Sequence, residues 1–377
     1  MEKTWVKIPD VLFFQEGPGV RKNQYTTEGV KLLNVANLVD GKIDLSTSDR
    51  YISDDEAYGK YSHFLCDEGD FIVASSGIKV EYVDKKMGFV EKSMLPLCMN
   101  TSTIRFKVLN NEQLIIKYFM YYLKSNVFKQ QLFKHITGSA QLNYGPSHLK
   151  KMTIPLVKIS EQKAIVEKLD KIQAIIDSYN KELTKLDELI KSRFVEMFGE
   201  PITNTLGLET DSLKDVLQLK AGDFTAAKDI FEEPDDVNKY PCFGGNGIRG
   251  YVSEYNQEGD YSLIGRQGAL SGNVQYATGK FKNTEHALLV TPKVEMNSVW
   301  LNQLSVQLDL KRYQTGAAQP GLSIKNLQKI QIISAPIELQ YRYEVFVKQV
   351  DKLKVEVQKS LDKTQMLFDS LMQEYFG

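Results

Sequence analysis

The chain contains two copies of one unit, and this duplication strongly limits the folds open to it. The segment GSAQLNYGPSHLKKMTI, which starts at Gly138, aligns with GAAQPGLSIKNLQKIQI, which starts at Gly316, at an offset of 178 residues. The endings EMFG at Glu196–Gly199 and EYFG at Glu374–Gly377 align at the same offset. A repeat of about 180 residues is too long for a solenoid and indicates a duplicated domain.

The upstream parts of the two copies also match. EGDFIVASSG at Glu68–Gly77 aligns with EGDYSLIGRQG at Glu258–Gly268, and the tripeptide DVL occurs at Asp10–Leu12 and at Asp215–Leu217. Each copy therefore reads as a mixed, strand-rich globule followed by a long helix, which predicts an α+β fold. The predicted boundaries place the globules at 1–158 and 200–336 and the helices at 159–199 and 337–377.

An apolar repeat of seven residues runs along both long helices. In the first helix it comprises Ile165, Leu169, Ile172, Ile176, Tyr179, Leu183, Leu186 and Ile190, and in the second Val350, Leu353, Val357, Leu361, Phe368 and Leu371. Such a narrow seam is typical of a coiled coil, and the step from Leu353 through Val357 to Leu361 predicts a four-residue stutter. Because each helix is the natural partner of its duplicate, we expect an antiparallel pair with an approximate two-fold relation between the copies. A helix lying on its own globule is the alternative.

The glycine-rich stretch YPCFGGNGIRGY, at Tyr240–Tyr251, invites comparison with a phosphate-binding loop. Such a loop follows a strand and opens a helix, so that free backbone N–H groups face the anion. Here the following residues are aromatic and β-branched with glycines at short intervals, and no lysine stands at the spacing of a P-loop. The pattern favours the tip of a β-hairpin over a phosphate-binding loop.

The composition is that of a globular protein of two or three domains, with 42% hydrophobic and 25% charged residues. A net charge of −1 argues weakly against nucleic-acid binding, although a local basic face is compatible with it. Since there is no long apolar run and no secretory signal, we expect a cytoplasmic protein. The three cysteines and four histidines lack metal-binding or disulfide spacing, which predicts buried reduced thiols and no metal site.

The order of these motifs resembles the specificity (S) subunit of type I DNA restriction–modification enzymes. The resemblance rests on EGDFIVASSG, YPCFGGNGIRGY, EGDYSLIGRQGA, the segments TGSAQLNY and TGAAQPGLS before the helices, and the FG helix endings. No one of these motifs is specific, whereas their order, repeated twice, covers nearly the whole chain. One departure is that the first globule lacks a GGNG turn and has RKNQYTTEGVKLLNVANL instead.

The resemblance implies that each globule is a target recognition domain that reads one half of a split, asymmetric DNA sequence. The paired helices would set the gap between the halves and bind two methyltransferase subunits, which carry S-adenosylmethionine and modify one adenine in each half. A motor–nuclease subunit can join this complex. The specificity subunit itself would have no catalytic centre and no cofactor, and the chain contains neither an N-P-P-Y or D-P-P-Y signature nor a Walker motif. The alternative is a structural tether whose two heads bind proteins.

Candidate DNA-contacting residues are those whose side chains suit base edges or phosphates and lie in the polar loops. Arginine reads guanine, asparagine and glutamine read adenine, and lysine mostly contacts phosphate. In the first globule the candidates are Arg21, Lys22, Asn23, Gln24, Tyr25, Ser75, Ser76, Lys79, Gln141, Asn143 and Tyr144, and in the second Asn246, Arg249, Arg266, Gln267, Gln314 and Gln319. Ordinary loop polarity is the competing interpretation for each of them, and the paired Gln141 and Gln319 have the further alternative of bracing the loop before each helix.

Overall fold

The computed structural model describes residues 2–135, 142–316 and 320–377. The chain divides into two compact units, of which the first comprises Met1–Ser178 with Asp362–Gly377 and the second Tyr179–Leu361. The division falls inside both long helices, so each unit holds one globule together with parts of two helices.

The first unit contains the strands β1 (Thr4–Lys7), β2 (Leu12–Glu16), β3 (Val30–Leu33), β4 (Leu38–Val39), β5 (Lys42–Ile43), β6 (Tyr51–Ile52), β7 (Phe71–Ala74), β8 (Ser76–Ile78), β9 (Met87–Phe89), β10 (Leu97–Met99), β11 (Thr103–Val108), β12 (Leu142–Asn143) and β13 (Thr153–Leu156). Its helices are α1 (Ile8–Val11), α2 (Asp54–Tyr58), α3 (Ile116–Lys124), α4 (Asn126–His135), α5 (Pro146–Leu149) and the first part of α6 (Ile159–Phe198).

The second unit contains the strands β14 (Thr210–Ser212), β15 (Leu217–Ala221), β16 (Tyr240–Gly244), β17 (Gly247–Val252), β18 (Gln257–Glu258), β19 (Tyr261–Gly265), β20 (Val274–Ala277), β21 (Lys280–Asn283), β22 (Ala287–Pro292) and β23 (Gln331–Ile333). Its complete helices are α7 (Leu213–Val216), α8 (Ser298–Gln307) and α9 (Ile324–Leu327), and most of α10 (Ile337–Phe376) belongs to it as well.

Both units are built on an antiparallel four-stranded sheet with the same strand order. The order is β2-β11-β7-β9 in the first unit and β15-β22-β19-β20 in the second. A helix covers each sheet, and in the first unit the rings of Phe106 on β11 and Phe119 on α3 lie 5.0 Å apart. The four residues of β7 are all buried, which explains why this strand is apolar throughout instead of alternating.

The second sheet of each unit also follows one plan. In the first unit β3 pairs in parallel with β10 and antiparallel with β6, and in the second unit β16 pairs in parallel with β21 and antiparallel with β17. Strand β3, which lies in the segment RKNQYTTEGVKLLNVANL, is therefore the equivalent of β16, whose sequence is YPCFG. The predicted hairpin is confirmed, because β16 and β17 are joined by the two-residue turn Gly245–Asn246.

A short antiparallel pair of strands closes each unit next to a long helix. β1 pairs with β13 just before α6, and β14 pairs with β23 just before α10. The start of each globule is thereby held against its end, which makes each copy a closed domain and accounts for the repeated K-M-T-I and K-I-Q-I motifs.

The two long helices run antiparallel, as predicted. In the first unit the Lys168 ammonium on α6 lies 5.9 Å from the ring centroid of Tyr375, near the end of α10. In the second unit the Tyr343 hydroxyl, near the start of α10, donates to the Ile190 carbonyl near the end of α6 at 3.1 Å. The start of one helix therefore meets the end of the other in each unit.

The predicted seam positions differ in how deeply they are buried. The buried positions are Ile165, Leu169, Ile172, Ile176, Ile190, Val350, Phe368 and Leu371, and the half-buried ones are Tyr179, Leu183, Leu186, Val357 and Leu361. The side chains of the middle turns are thus more open to solvent than those at the helix ends.

The prediction for Leu353 is wrong, and with it the predicted stutter. Leu353 is 56% exposed, whereas Lys354 is half-buried and its ammonium lies 2.6 Å from Asp187 of α6. Because a lysine can bury its aliphatic stem while its charge reaches an acidic partner, a polar residue occupies the seam at this position. The positions that face inward then follow an unbroken alternation of four and three residues: Tyr343, Val347, Val350, Lys354, Val357 and Leu361.

The repeated FG endings have a packing role. Phe198 is fully buried, with its ring 5.9 Å from Trp300 and 5.7 Å from Tyr343. Phe376 is equally buried, with its ring 5.0 Å from Tyr118. Each helix ending is therefore an anchor in the aromatic core beneath α3 or α8, and each unit receives the ending that follows the other globule in sequence.

The cysteines are buried and unpaired, as the sequence predicts. Burial raises the pKa of the Cys66 and Cys98 thiols to about 12, so both stay protonated at neutral pH. Within the described ranges no group of histidine, cysteine and acidic side chains is arranged to hold a metal ion. Nor does any helix in those ranges combine the length and the apolar character that a membrane span requires.

We expect Phe376→Ala to destabilise the first unit by about 3–5 kcal/mol, because it removes a fully buried ring from a packed aromatic core. Met366→Ala is the matched control, since Met366 lies on the same helix and is 71% exposed, and its effect should stay within about 0.5 kcal/mol. Urea unfolding followed by far-UV circular dichroism measures both. Equal unfolding midpoints for the two variants would show that the helix ending is not an anchor.

Candidate functional site

In the first unit, three segments meet where β7 ends. The Ser75 amide donates to the Ser102 carbonyl at 2.8 Å, and the Ser75 carbonyl accepts from the Tyr144 amide at 2.9 Å. Ser76 pairs with Asn143, and its hydroxyl donates to the Ser102 hydroxyl at 2.6 Å. We call this set of five residues the first junction.

In the second unit the equivalent segments meet where β19 ends. The Arg266 amide donates to the His286 carbonyl at 3.1 Å, and the Arg266 carbonyl accepts from the Leu322 amide at 2.9 Å. Gln267 pairs with Gly321, and its side-chain oxygen lies 2.7 Å from His286 Nδ1. We call these five residues the second junction. The backbone bonds of the two junctions are the same, whereas the side chains that they present differ.

The hairpin tip is packed onto the second junction. A Cβ atom at Gly265 would lie 2.1 Å from the Gly245 carbonyl oxygen, so only glycine allows the two backbones to approach this closely. The tip residue Asn246 is exposed and accepts a hydrogen bond from Asn273 Nδ2 at 2.6 Å. The glycines that stand out in the sequence therefore bring a polar turn against the strand end.

The first unit has a closed polar network where the second unit has this exposed turn. Asn34 follows β3 and is buried, and its side-chain oxygen accepts from Asn100 Nδ2 at 2.8 Å. The backbone N–H of Asn34 donates to Asn37 Oδ1 at 2.9 Å. This network continues towards the first junction, because Asn100 lies two residues before Ser102.

A family model described as the Type I restriction modification DNA specificity domain matches residues 2–188 and 206–364. The chain belongs to this family. The two matched segments correspond to the two copies of the duplicated unit.

Relatives and solved structures agree with this assignment. The chain is 32% identical over 249 residues to the Type I restriction enzyme EcoprrI specificity subunit of Escherichia coli, covering 63% of this chain and 61% of that protein. It is 27% identical over 190 residues to the MjaVIII specificity subunit of Methanocaldococcus jannaschii, covering 49% of this chain and 43% of that one. The matches thus span less than two thirds of either relative.

The crystal structure of a type I restriction–modification S subunit from M. genitalium shares the fold over 100% of this chain and 96% of its own, with a TM-score of 0.57 at 18% identity. A chain from a structural study of complex assembly and conformational transition of the type I R-M system aligns over 99% of this chain and 97% of its own, with a TM-score of 0.54 at 18% identity.

Two of the predicted contact residues in the first junction cannot offer their side chains to a ligand. Ser75 and Tyr144 are each only 1% exposed, because both side chains turn into the core beneath the strand end. Their backbone groups build the junction, while the half-buried Ser76 and the exposed Asn143 and Lys79 face outwards.

The structure also contradicts the prediction that Gln24 contacts DNA, because both polar groups of its side chain are already hydrogen-bonded within the protein. Its amide nitrogen donates to Glu56 at 2.7 Å and to the Tyr61 hydroxyl at 3.0 Å, and its oxygen accepts from the Arg21 amide at 3.0 Å. The neighbouring Tyr25 is half-buried against the same small core, with the Arg50 guanidinium 5.3 Å from its ring centroid.

The remaining side chains of that loop, those of Arg21, Lys22 and Asn23, are exposed. The predicted residues Gln141 and Gln319 lie outside the described residues.

At the second junction and on the neighbouring strand β17, two arginines are free: Arg266 of the junction and Arg249 of β17. The guanidinium groups of Arg249 and Arg266 make no hydrogen bond or ion pair with any described residue, although Arg266 is half-buried. By contrast, the amide of Gln314 donates to the Ser271 carbonyl. Both arginines are therefore available to an anionic or acceptor-bearing ligand.

Several polar residues in the junctions or beside them were not identified from the sequence. They are Asn100 and Ser102 in the first unit, and Asn273, Glu285, His286, Lys311 and Arg312 in the second. Lys311 and Arg312 are exposed on a short helix whose backbone lies against Gly272. The adjacent basic residues in the segment KRYQTG could have marked this site in the sequence. Ser102 and His286 precede the equivalent strands β11 and β22, which only the strand pairing reveals.

We expect Gln24→Ala to lower the free energy of unfolding by about 1–2 kcal/mol, because it leaves Glu56 and Tyr61 without their donor. Asn23→Ala, in the same loop but exposed, should change it by less than about 0.5 kcal/mol. Denaturant titration of the two variants compares them directly. If Asn23→Ala were the more destabilising change, the anchoring role of Gln24 would be refuted.

Proposed function

We propose that this chain is the DNA-recognition subunit of a type I restriction–modification complex, with each unit reading one half of a bipartite, asymmetric site. The observation that carries the proposal is the pair of junctions, which share one backbone arrangement and differ in their side chains. A duplicated scaffold with different polar groups suits two half-sites of different sequence.

The exposed groups fit the chemistry of base edges. In the second unit Arg249 and Arg266 supply free guanidinium groups suited to guanine, and Asn246 and Gln267 supply amides. The exposed Lys311 and Arg312 beside them suit phosphate contacts. In the first unit Ser76, Asn143 and Lys79 take the corresponding place, with Arg21 and Lys22 as further cationic groups.

The helix pair would set the gap between half-sites and dock two methyltransferase subunits. Support comes from the middle turns, where apolar side chains face solvent instead of the seam: Ile175, Leu189, Val355 and Met366. Contiguous apolar patches mark protein interfaces, so these are the side chains that we expect a docked subunit to cover.

The partner subunits would bring S-adenosylmethionine and the chemistry of adenine methylation, and motor–nuclease subunits can join them. Catalysis would then lie outside this chain, which supplies specificity. We expect the complex to act in the cytoplasm, where chromosomal DNA lies.

Exchange of residues 201–336 for the matching segment of a relative tests the proposal. Only one half of the methylated motif should change, because the first junction stays intact. Phe194, Phe198, Tyr343 and Val347 remain in the exchanged protein and belong to the core of the second unit, so the donor segment must keep a bulky residue at Trp300. Sequencing of methylated adenines in host DNA gives the motif, and a change in both halves would refute two independent readers.

Arg266→Ala should weaken recognition of one half-site by about 1–3 kcal/mol if the guanidinium pairs with guanine. If the guanidinium contacts phosphate instead, binding to all sequences should weaken alike and the salt dependence should flatten. Lys214→Ala is the control, since Lys214 is exposed beside β15, at the end of the sheet away from the second junction. Binding of the reconstituted complex to matched and mismatched duplexes distinguishes these outcomes, and equal effects of the two variants would remove Arg266 from the interface.

A further inference from the structure

An arginine of the first unit that the sequence did not mark is stacked on an aromatic ring. Arg50 immediately precedes β6, and its guanidinium lies over the ring of Tyr25, 5.3 Å from the ring centroid. The Arg50 side chain is exposed and makes no hydrogen bond or ion pair with any described residue. Because a guanidinium stacked on an aromatic ring keeps its N–H donors in one plane, the donors of Arg50 are oriented and unused.

The acidic residue beside Arg50 does not neutralise it. Asp49 accepts a hydrogen bond from the Lys31 ammonium at 2.9 Å, and the same ammonium lies 5.1 Å from the ring centroid of Tyr51. Lys31 and Asp49 thus compensate each other's charge, whereas Arg50 keeps its own. A charged planar donor of this kind suits a ligand with paired acceptor atoms.

Tyr25 connects Arg50 to the polar network that leads to the first junction. The Tyr25 hydroxyl lies 3.5 Å from Asn100 Nδ2, which also donates to Asn34 Oδ1 at 2.8 Å. The backbone of Arg50 is held as well, because its carbonyl accepts from the Leu32 amide at 2.8 Å. The fold therefore fixes both the ring beneath the guanidinium and the backbone that carries it.

The second unit presents an arginine from the equivalent strand. Tyr51 on β6 and Tyr251 on β17 hold the same place, since each pairs with β3 or β16 and bridges to the segment that follows a short 3-10 helix. Arg50 stands one residue before Tyr51, and Arg249 stands two residues before Tyr251. The register shifts at Arg249, which lies between two ladder pairs, and such bulges redirect side chains. Each unit thus has an unpaired arginine at this place in the ladder.

We propose that Arg50 is a DNA-binding residue of the first unit and that Tyr25 is its positioning residue. The proposal rests on the proposed function, since it places Arg50 in the DNA-reading surface. The acceptors that DNA offers to a guanidinium are the N7 and O6 atoms of guanine and the phosphate oxygens. Because the ring of Tyr25 orients the guanidinium before DNA binds, less side-chain freedom is lost in the complex.

Binding of the reconstituted complex to three duplexes tests the role of Arg50. One duplex carries the motif found by sequencing methylated adenines, one has that motif altered in the half that the exchange of residues 201–336 leaves unchanged, and one is unrelated. Arg50→Ala should weaken binding to the intact motif about tenfold, because a charge-assisted contact is lost. Lys7→Ala is the control, since Lys7 is an exposed cation on β1, at the end of the unit away from the first junction.

The duplexes also distinguish the two sources of acceptor atoms. If Arg50 contacts a base, Arg50→Ala should lower the preference for the intact motif over the altered one. If it contacts phosphate, binding to all three duplexes should weaken alike and the salt dependence should flatten. Either result places Arg50 in the interface, whereas an effect no larger than that of Lys7→Ala would remove it.

Two variants of Tyr25 test its positioning role. Tyr25→Phe keeps a ring beneath the guanidinium and should bind DNA as the unaltered complex does. Tyr25→Leu removes the ring and should weaken binding about two- to fivefold. In a chain that already carries Arg50→Ala, Tyr25→Leu should cause no further loss, because there is no guanidinium left to orient. An equal loss in both backgrounds would show that Tyr25 acts independently of Arg50 and would overturn its positioning role.

The outcomes separate this inference from the proposed function. If the unaltered complex prefers its motif to the unrelated duplex and Arg50→Ala behaves like the control, the assignment of Arg50 is wrong although DNA recognition stands. If the unaltered complex shows no preference for any duplex, the proposed function itself fails.

Discussion

The burial of two phenylalanines at the helix endings holds the architecture together. Phe198 and Phe376 sit in aromatic cores that also hold Trp300 and Tyr118, so each long helix ends inside a globule instead of in solvent. An amphipathic helix of this length gains most of its stability from tertiary packing. Because each unit takes the helix ending that follows the other globule, neither globule has a complete core without both copies of the repeat.

The helix seam shows that polar contacts can decide register where apolar periodicity is ambiguous. The apolar pattern predicts Leu353 as the seam residue, yet Lys354 occupies the seam, faces Asp187 and completes an unbroken heptad repeat. Leu353 and Val355 are left on the solvent side. The seam therefore accommodates a lysine whose ammonium lies beside Asp187, while the neighbouring Leu353 and Val355 lie outside the seam.

Much of the fold could be predicted from the sequence, because the repeat, the heptads and the GGNG turn each depend on local pattern. The candidate site was predicted less completely. Arg266 and Asn246 stand in glycine-rich loops that mark them, whereas His286 and Ser102 become visible only through strand pairing between distant segments. Gln24 and Tyr144 were wrong as ligand contacts because polarity in a loop does not reveal whether the fold already satisfies or buries the group.

The shared ladder around β3 and β16 has an evolutionary consequence. The same parallel and antiparallel neighbours are joined in one copy by a two-residue turn and in the other by the long excursion from Asn34 to Arg50. The same pairing of strands is therefore compatible with a short connection in one copy and a long connection in the other. Insertions and deletions can accumulate at this place without disturbing the sheet, so a gene duplication provides two surfaces that diversify separately while their common framework is preserved.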